Sequence, residues 1–296
     1  MNALTHYYLG CPVFASPGWR GTLYRTKAPR DQWLNQYSQA FNTVEGNSSF
    51  YGLPTHDTVS RWCDQTVDGF RFALKFPRDI SHDRRLVGAE RETDAFLDVL
   101  SVLQQRDRLG LSFLQLPPDF CGRELANLAN YLKALPQSFP FAVEVRNVDF
   151  FDRGAIECEF DGVLQELKIE KVIFDSRCLY SAPPTDEYER ESQARKPKTP
   201  IRYSAFGSNP MLRLIGRNDV ESVRPWIRQW APIVAAWIYA GKTPYIFAHT
   251  PNDEHAPAMA KIFHEELSRQ AGMVPPLPTW LGVAEQQVAD SQKQLF

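Results

Sequence analysis

Short β-rich runs alternate along the chain with stretches of helical periodicity. The first run, "HYYLGCPVF" at 6–14, precedes "APRDQWLNQYSQAF", where Trp33, Tyr37 and Phe41 recur on one helix face. "TVEGNSSFY" at 43–51 precedes "HDTVSRWCDQT". "FRFALKFP" at 70–77 precedes "ERETDAFLDVLSVLQQ", whose Phe96, Leu97, Leu100 and Leu103 form a single stripe. The alternation continues through "LSFLQLPP" at 111–118, "FAVEVRN" at 141–147, "KVIFDSRC" at 171–178, "MLRLIGRN" at 211–218 and "TPYIFAHTP" at 243–251, each followed by a helical stretch.

Eight strand-then-helix units without a break in composition predict a parallel sheet covered by helices. That count over roughly 250 residues is the size of a closed (β/α)8 TIM-type barrel. An open doubly wound sheet is the rival, but "GCPVFASPGW" after the first strand lacks the phosphate-binding glycine spacing. The expectation is one barrel domain over 1–272 with a Pro-rich, then polar, C-terminal appendage over 273–296. The connection between strands six and seven, 179–210, is unusually long. Within it "TDEYERESQARKP" predicts a charged helix, with Glu191 and Arg195 spaced to pair and Pro197 near its end. Loops of this length serve as lids or binding segments, or carry a solvated surface helix.

Polar residues inside the strand runs change the picture from fold to chemistry. TIM-type barrels carry their reactive groups at the C-terminal strand ends. Those ends offer Glu45 and Asn47 on strand two, Lys75 on three, Gln115 on four, and Glu144 with Arg146 on five. Strand six offers Asp175, strand seven Arg213 and Arg217, and strand eight His249 and Thr250. Strand side chains alternate faces, so Thr43, Glu45 and Asn47 should share one. Lys75 falls with Arg71 and Ala73, opposite Phe72, Leu74 and Phe76. Glu144 and Arg146 fall with Ala142, opposite Phe141, Val143 and Val145. The large apolar residues suit the helix side, which leaves the polar set for the interior. Isolated buried charges are very costly, so a mixed cluster of both signs is the tolerable arrangement.

Such a cluster could be a self-neutralising ion network or a site, and two chemistries compete for the site. Glu45 and Glu144 could act as a general acid and base pair, as in glycoside hydrolysis. Alternatively Lys75, Arg146 and Arg213 could anchor a small anionic substrate while a carboxylate or His249 moves a proton. Glu45, Glu144, Asp175 and His249 also suit a divalent metal by ligand type, but the interleaved cations already satisfy the carboxylates. His82, in "DISHDRRL", could line the same mouth or cap the following turn.

Composition and charge add limits. The 296 residues are 43% hydrophobic and 23% charged with a formal net charge of -2. These are values of an ordinary globular protein with no whole-chain attraction for nucleic acid or anionic membrane. "MNALTHYYLGCP" lacks the basic start and apolar run of a signal peptide, and "WAPIVAAWIYAG" is too short to span a bilayer. Cys11, Cys63, Cys121, Cys158 and Cys178 are an odd number without metal spacing, which predicts buried neutral thiols and a cytoplasmic location. No cofactor motif is present, and the expected partner is a small polar or anionic ligand. Nucleic acid is the less favoured alternative, through "RKPKTPIR", Arg213 and Arg217, with Trp19 and Tyr51 for stacking.

"VEGNSSFYGLP", "FRFALKFPRDISH", "LQLPPDF", "AVEVRN" and "VIFDSR", in this order, strongly resemble the domain-of-unknown-function 72 family, the YecE-like proteins. The likeness covers nearly the whole chain, and "HTP" at 249–251 with "KPKTP" at 196–200 is similar to the YecE subgroup. Many members of the wider family end strand eight with an Asn-Asn pair where this chain has His249 and Thr250. The resemblance implies a TIM-barrel fold and names no reaction. The motif residues it implies are Glu45, Asn47, Tyr51, Lys75, His82, Gln115, Glu144, Arg146 and Asp175. Separately, "QKQLF", Gln292 to Phe296, loosely resembles the peptide by which bacterial proteins dock on the replication sliding clamp.

Overall fold

Alternation of side-chain size along each strand decides which way it faces. In the computed structural model, residues 7–293 are described. The strands are β1 (Tyr8–Gly10), β2 (Thr43–Gly46), β3 (Arg71–Leu74), β4 (Ser112–Gln115), β5 (Phe141–Glu144), β6 (Glu170–Lys171), β7 (Ile173–Asp175), β8 (Met211–Ile215) and β9 (Tyr245–His249). The helices are α1 (Trp33–Ala40), α2 (His56–Gln65), α3 (Glu90–Gln105), α4 (Leu125–Ala134), α5 (Ala155–Leu167), α6 (Glu187–Arg195), α7 (Arg224–Tyr239), α8 (Ala256–Gln270) and α9 (Leu281–Lys293). The expected sixth strand is thus split in two around Val172, whose N–H still donates to Val143 O at 2.8 Å.

Every ladder is parallel, as the strand–helix alternation requires. The strand orders are β1-β9-β8-β7, β2-β3 and β4-β5-β6. Single bridges, Phe72 with Leu109 and Lys75 with Phe113, join the β2-β3 sheet to the β4-β5-β6 sheet. At β1 the approach is tighter. The Glu45 N–H donates to Cys11 O at 3.1 Å, and a Cβ on Gly10 would sit 2.1 Å from Thr43 O. Only glycine admits a neighbour that close.

One face of the strands builds an inner core of Ala73, Leu111, Phe113, Ala142, Val172, Met211, Tyr245 and Phe247. The other face, with Val44, Phe72, Leu74, Phe76, Leu114, Val143, Leu212, Leu214 and Ile246, packs under the helices. The parity read from "FRFALKFP" and "FAVEVRN" is therefore the parity of the fold. Burying this outer layer, at about 25 cal/mol per Å² of apolar surface, is the main force holding helices to strands.

The chain beyond 272 forms a helix where the sequence suggests only a polar appendage. Val274 is buried, and Trp280 lies 6.0 Å from the Phe41 ring. Val283 N–H donates to Thr22 O at 3.1 Å, and Glu285 Oε2 accepts from Thr26 N–H at 2.7 Å. Of the clamp-like pentapeptide at 292–296, residues 294–296 lie outside the described residues. Cys11, Cys63 and Cys178 are buried as expected, but Cys121 is half-buried and Cys158 exposed, so the thiols are not uniformly interior. Among the described residues no helix is long and apolar enough to cross a membrane.

Candidate functional site

At the C-terminal strand ends the inner face changes from apolar to charged, and Arg213 is its hub. Arg213 Nε and Nη2 donate to Glu45 Oε2 and Oε1 at 2.8 and 2.7 Å, a bidentate pair. Its Nη1 donates to Glu144 Oε2 and, at 3.4 Å, to Gln115 Oε1. Arg146 closes the ring, with Nε to Glu144 Oε1 at 2.8 Å and Nη2 to Gln115 Oε1 at 2.8 Å. Its Nη1 has no acceptor among the described residues. The Arg213 guanidinium rests 5.1 Å from the Phe113 ring and 5.5 Å from that of Phe174. An aromatic floor suits a planar, weakly hydrated cation.

Glu45 is shared more widely. Its Oε1 accepts from Asn47 Nδ2 at 2.7 Å, and its Oε2 lies 3.0 Å from His249 Nε2. Strand alternation places Asn47 on the same face as Glu45. The strand instead ends at Gly46, and Asn47 opens a 3-10 turn from Asn47 to Phe50. That turn folds the amide back, where Nδ2 also donates to Pro12 O at 3.1 Å.

Burial pushes the Glu45 carboxyl up, but Arg213 and His249 outweigh it and hold it well below the usual carboxylate range. Burial likewise opposes ionisation of Glu144, and Arg213 with Arg146 brings it down to about 2. Burial lowers His249 to about 4 against the pull of Glu45, so at neutral pH its ring is uncharged. An ionised Glu45 can only accept, so Nε2 of His249 carries the proton and Nδ1 keeps a free lone pair.

Glu45, Glu144, Arg213 and Arg146 balance one another in charge. Two further cations do not share in that balance. Lys75, 8% exposed, holds Nζ 3.7 Å from the centroid of the Phe50 ring. Burial first, then the charge of Arg213, lowers its amine to about 7 despite Glu144 nearby. Lys196, at the C-terminal end of α6, is half-buried, and it too is lowered by burial and then by Arg213, to about 8. Neither ammonium has an ion-pair or hydrogen-bond acceptor among the described residues. The field of Lys196 reaches Asp253, which burial raises to about 6.

His82 belongs to the same neighbourhood, its ring 4.9 Å from that of Phe50 and edge-on to it. Ser81 Oγ donates to Pro77 O at 3.1 Å, so it must accept the 2.8 Å bond from His82 Nδ1. The Nε2 of His82 is therefore a lone-pair nitrogen. Burial, then Lys75, lowers this imidazole to about 4.

Three residues of the expected set are not brought in. Asp175 points to the helix side, where its Oδ2 accepts from Trp230 Nε1 at 2.7 Å and from Arg177 Nη2 at 2.8 Å. On that strand Val172 and Phe174 face inward, which turns Asp175 away. Tyr51 is 83% exposed beyond the 3-10 turn, its ring in a T-shaped contact with that of Phe50. Arg217 is also withdrawn, its Nη2 on Glu189 Oε2 and, at 2.8 Å, on Pro183 O. Of two further residues of the cluster, Lys196 is met in the sequence only as one cation of "RKPKTPIR", read there for nucleic acid, and Asp253 is not singled out.

The 179–210 connection holds Lys196 in place by several fastenings. Glu191 and Arg195 pair at 3.0 Å on the exposed side of α6, as their spacing predicts. Its inner side is not a solvated surface, because Glu189 is fully buried against Arg217. Ser176 Oγ donates to Pro197 O at 2.7 Å, and Thr199 Oγ1 to Phe174 O at 3.2 Å. Glu189→Ala should strand Arg217 and cost about 3 kcal/mol, typical for breaking a buried pair from one side. Limited proteolysis should then cut within 179–200 well before the rest of the chain, and unchanged resistance there would contradict this role.

Parallel strands that deliver a charged cluster to their C-terminal ends define an α/β protein, and strand ends are where such folds carry their ligands. More narrowly, the family model described as "Protein of unknown function DUF72" matches residues 8–281, and the chain belongs to the DUF72 family. It is 36% identical over 274 residues to UPF0759 protein YecE of Escherichia coli strain K12, covering 92% of this chain and 97% of that protein. UPF0759 protein YunF of Bacillus subtilis strain 168 is 28% identical over 141 residues, 45% of this chain and 50% of that protein. The crystal structure of a DUF72 family protein from Thermotoga maritima MSB8 superposes with a TM-score of 0.66 at 20% identity, covering 88% of this chain and 99% of that chain. A DUF72 family protein from Enterococcus faecalis V583 gives a TM-score of 0.66 at 16% identity, over 88% and 95%. At such identities the likeness is one of fold.

Proposed function

We propose that the strands close into a (β/α)8 barrel and that its C-terminal mouth binds a small anionic molecule, on which the protein acts as an enzyme. Closure is supported by the β1–β9 ladder, the bridges from β3 to β4 and the Glu45–Cys11 hydrogen bond. The observation that carries the ligand class is the pair of lysines without acceptors above a cluster already neutral in itself. Arg146 Nη1 adds a third unused donor. Cations left unpaired in low-dielectric surroundings are costly unless a bound anion completes them.

This charge balance favours lyase chemistry over hydrolysis by paired carboxylates. Glu45 and Glu144 are held ionised by arginines, so neither is suited to donate a proton as a glycosidase acid must. The groups free to move protons are His249 Nδ1, His82 Nε2, the two amines and Asp253, whose carboxyl burial raises to about 6. Five unpaired thiols accord with a reducing compartment, and we place the protein in the cytoplasm.

A thermal-shift screen of small carboxylates, phosphates and neutral sugars tests the reading. Anions should raise the melting temperature of the wild type. Lys196→Met should weaken that binding about tenfold, the usual worth of one charge-assisted contact. Binding should also weaken as pH rises through 7 and 8, where first Lys75 and then Lys196 loses its proton. Neutral sugars that stabilise both Lys75→Met and wild type equally would refute the proposal. Salt-sensitive binding of single-stranded oligonucleotides, with no response to small anions, would favour a nucleic-acid binder instead.

A further inference from the structure

We propose that Lys75 is a nucleophile that forms an imine with a small oxo acid, a carbonyl compound that also carries a carboxylate. This deepens the anion-site reading and rests on it. The position of Lys75 sets it apart from Lys196. It follows directly on β3 and is tied to the next strand through its bridge to Phe113, so its Cα cannot drift. Its Nζ lies on an apolar ring rather than on a carboxylate, although two carboxylates are close enough to be felt electrostatically. A lysine meant only to balance charge would be expected to contact one of them. Instead both are taken by arginines, which leaves the amine unpaired.

Arg213 and Arg146 both act on the Lys75 amine as nearby positive charges, and cationic desolvated surroundings keep part of a lysine population neutral near pH 7. They also supply what an oxo acid needs at its other end. Arg146 Nη1 and Lys196 are free to take the carboxylate, which would bring the adjacent carbonyl carbon towards Nζ. Two different cations for one anion leave the third group, the amine, for the carbonyl.

The proton path follows from the tautomer of His82. The neutral Lys75 amine adds to the carbonyl carbon, forming the C–N bond while the carbonyl oxygen becomes an alkoxide. His82 Nε2, whose lone pair is unengaged, takes a proton from the nitrogen and returns it to that oxygen. His82 Nε2 then carries the second nitrogen proton to the hydroxyl, which leaves as water, so a neutral imine forms with one water lost and no change of oxidation state, and a proton from solvent converts it to the protonated form. A protonated imine draws electrons from the neighbouring carbon, which is the requirement for breaking a bond there.

Reductive trapping tests this on the full chain. The protein is incubated near pH 7 with pyruvate, glyoxylate or acetaldehyde, and cyanoborohydride is added before peptide mapping. The expected result is a gain at Lys75 equal to the oxo acid less one oxygen, exceeding that at every other lysine. Acetaldehyde, which lacks the carboxylate, should mark Lys75 no more than surface lysines. Lys75→Arg keeps the positive charge and should lose the adduct while still binding the oxo acids in the thermal-shift assay. His82→Gln should slow trapping at Lys75 without weakening binding. Binding of the oxo acids without an adduct at Lys75, or with Lys196 marked instead, overturns the imine and leaves the anion site standing. Absence of any binding by these or other small anions overturns both.

Discussion

Arg213→Met should destabilise the fold by about 4 kcal/mol at pH 7, as removal of one partner from a buried ion network does. Arg213 is 3% exposed and serves two fully buried carboxylates at once. Glu144 would keep Arg146, and Glu45 would keep Asn47 and the neutral His249, so the loss is large without being total. The pH dependence separates this cause from a simple cavity. In the wild type the lowered carboxyl groups contribute stability that is full above the unfolded value near 4.5 and is lost as pH falls through the folded value, about 2 for Glu144. Without Arg213 the effect of burial prevails, and the orphaned carboxyls should prefer their protons. The penalty should therefore shrink between pH 7 and pH 5 in chemical denaturation. A penalty constant across that range would mean that packing, not charge, is what Arg213 supplies.

Lys75→Met should have the opposite sign and raise stability by about 3 kcal/mol at pH 6. A lysine lowered from 10.5 to about 7 binds its proton more tightly when unfolded. Its cost is full below 7 and disappears as pH rises towards 10.5. Each tenfold loss of proton affinity on folding costs about 1.4 kcal/mol, and the cation–π contact with Phe50 returns about 1 to 2. Methionine keeps the apolar stem and suits the same aromatic ring. The gain should fall off in alkaline buffer, and the variant should lose anion binding. Stability that is unchanged or lower at pH 6 would show that the amine is comfortably solvated and not held in reserve for a ligand.

Strand parity recovers most of the site because the neighbouring residues on each strand are sorted by size. Phe72, Leu74 and Phe76 against Ala73, or Val143 and Val145 against Ala142, leave no doubt about the helix side. In "VIFD" both faces are large and apolar, so parity carries no information about Asp175. Tyr51 misleads for a different reason, since the backbone leaves the strand at Gly46 and turns away. Lys196 lies at the end of a charged helix whose local pattern gives no hint that its inner side is buried. Only the long-range pairing of Glu189 with Arg217 places it. The helix Leu281–Lys293 is illegible in the sequence because its fit depends on bare backbone. A Cβ on Gly282 would lie 2.4 Å from Tyr24 O, a contact that no periodicity encodes.

The insertion that carries Lys196 implies a division of labour across the mouth of the strands. Arg213, Glu45 and Glu144 are embedded in the sheets, so altering them risks the fold. Lys196 sits on a segment fastened by side chains rather than by strand-ladder bonds, Glu189 to Arg217, Ser176 to Pro197 O and Thr199 to Phe174 O. Its side chain could be exchanged with little effect on the sheets so long as those anchors are kept. On the proposed function, ligand preference would be retuned from the insertion while the reacting groups below stay fixed.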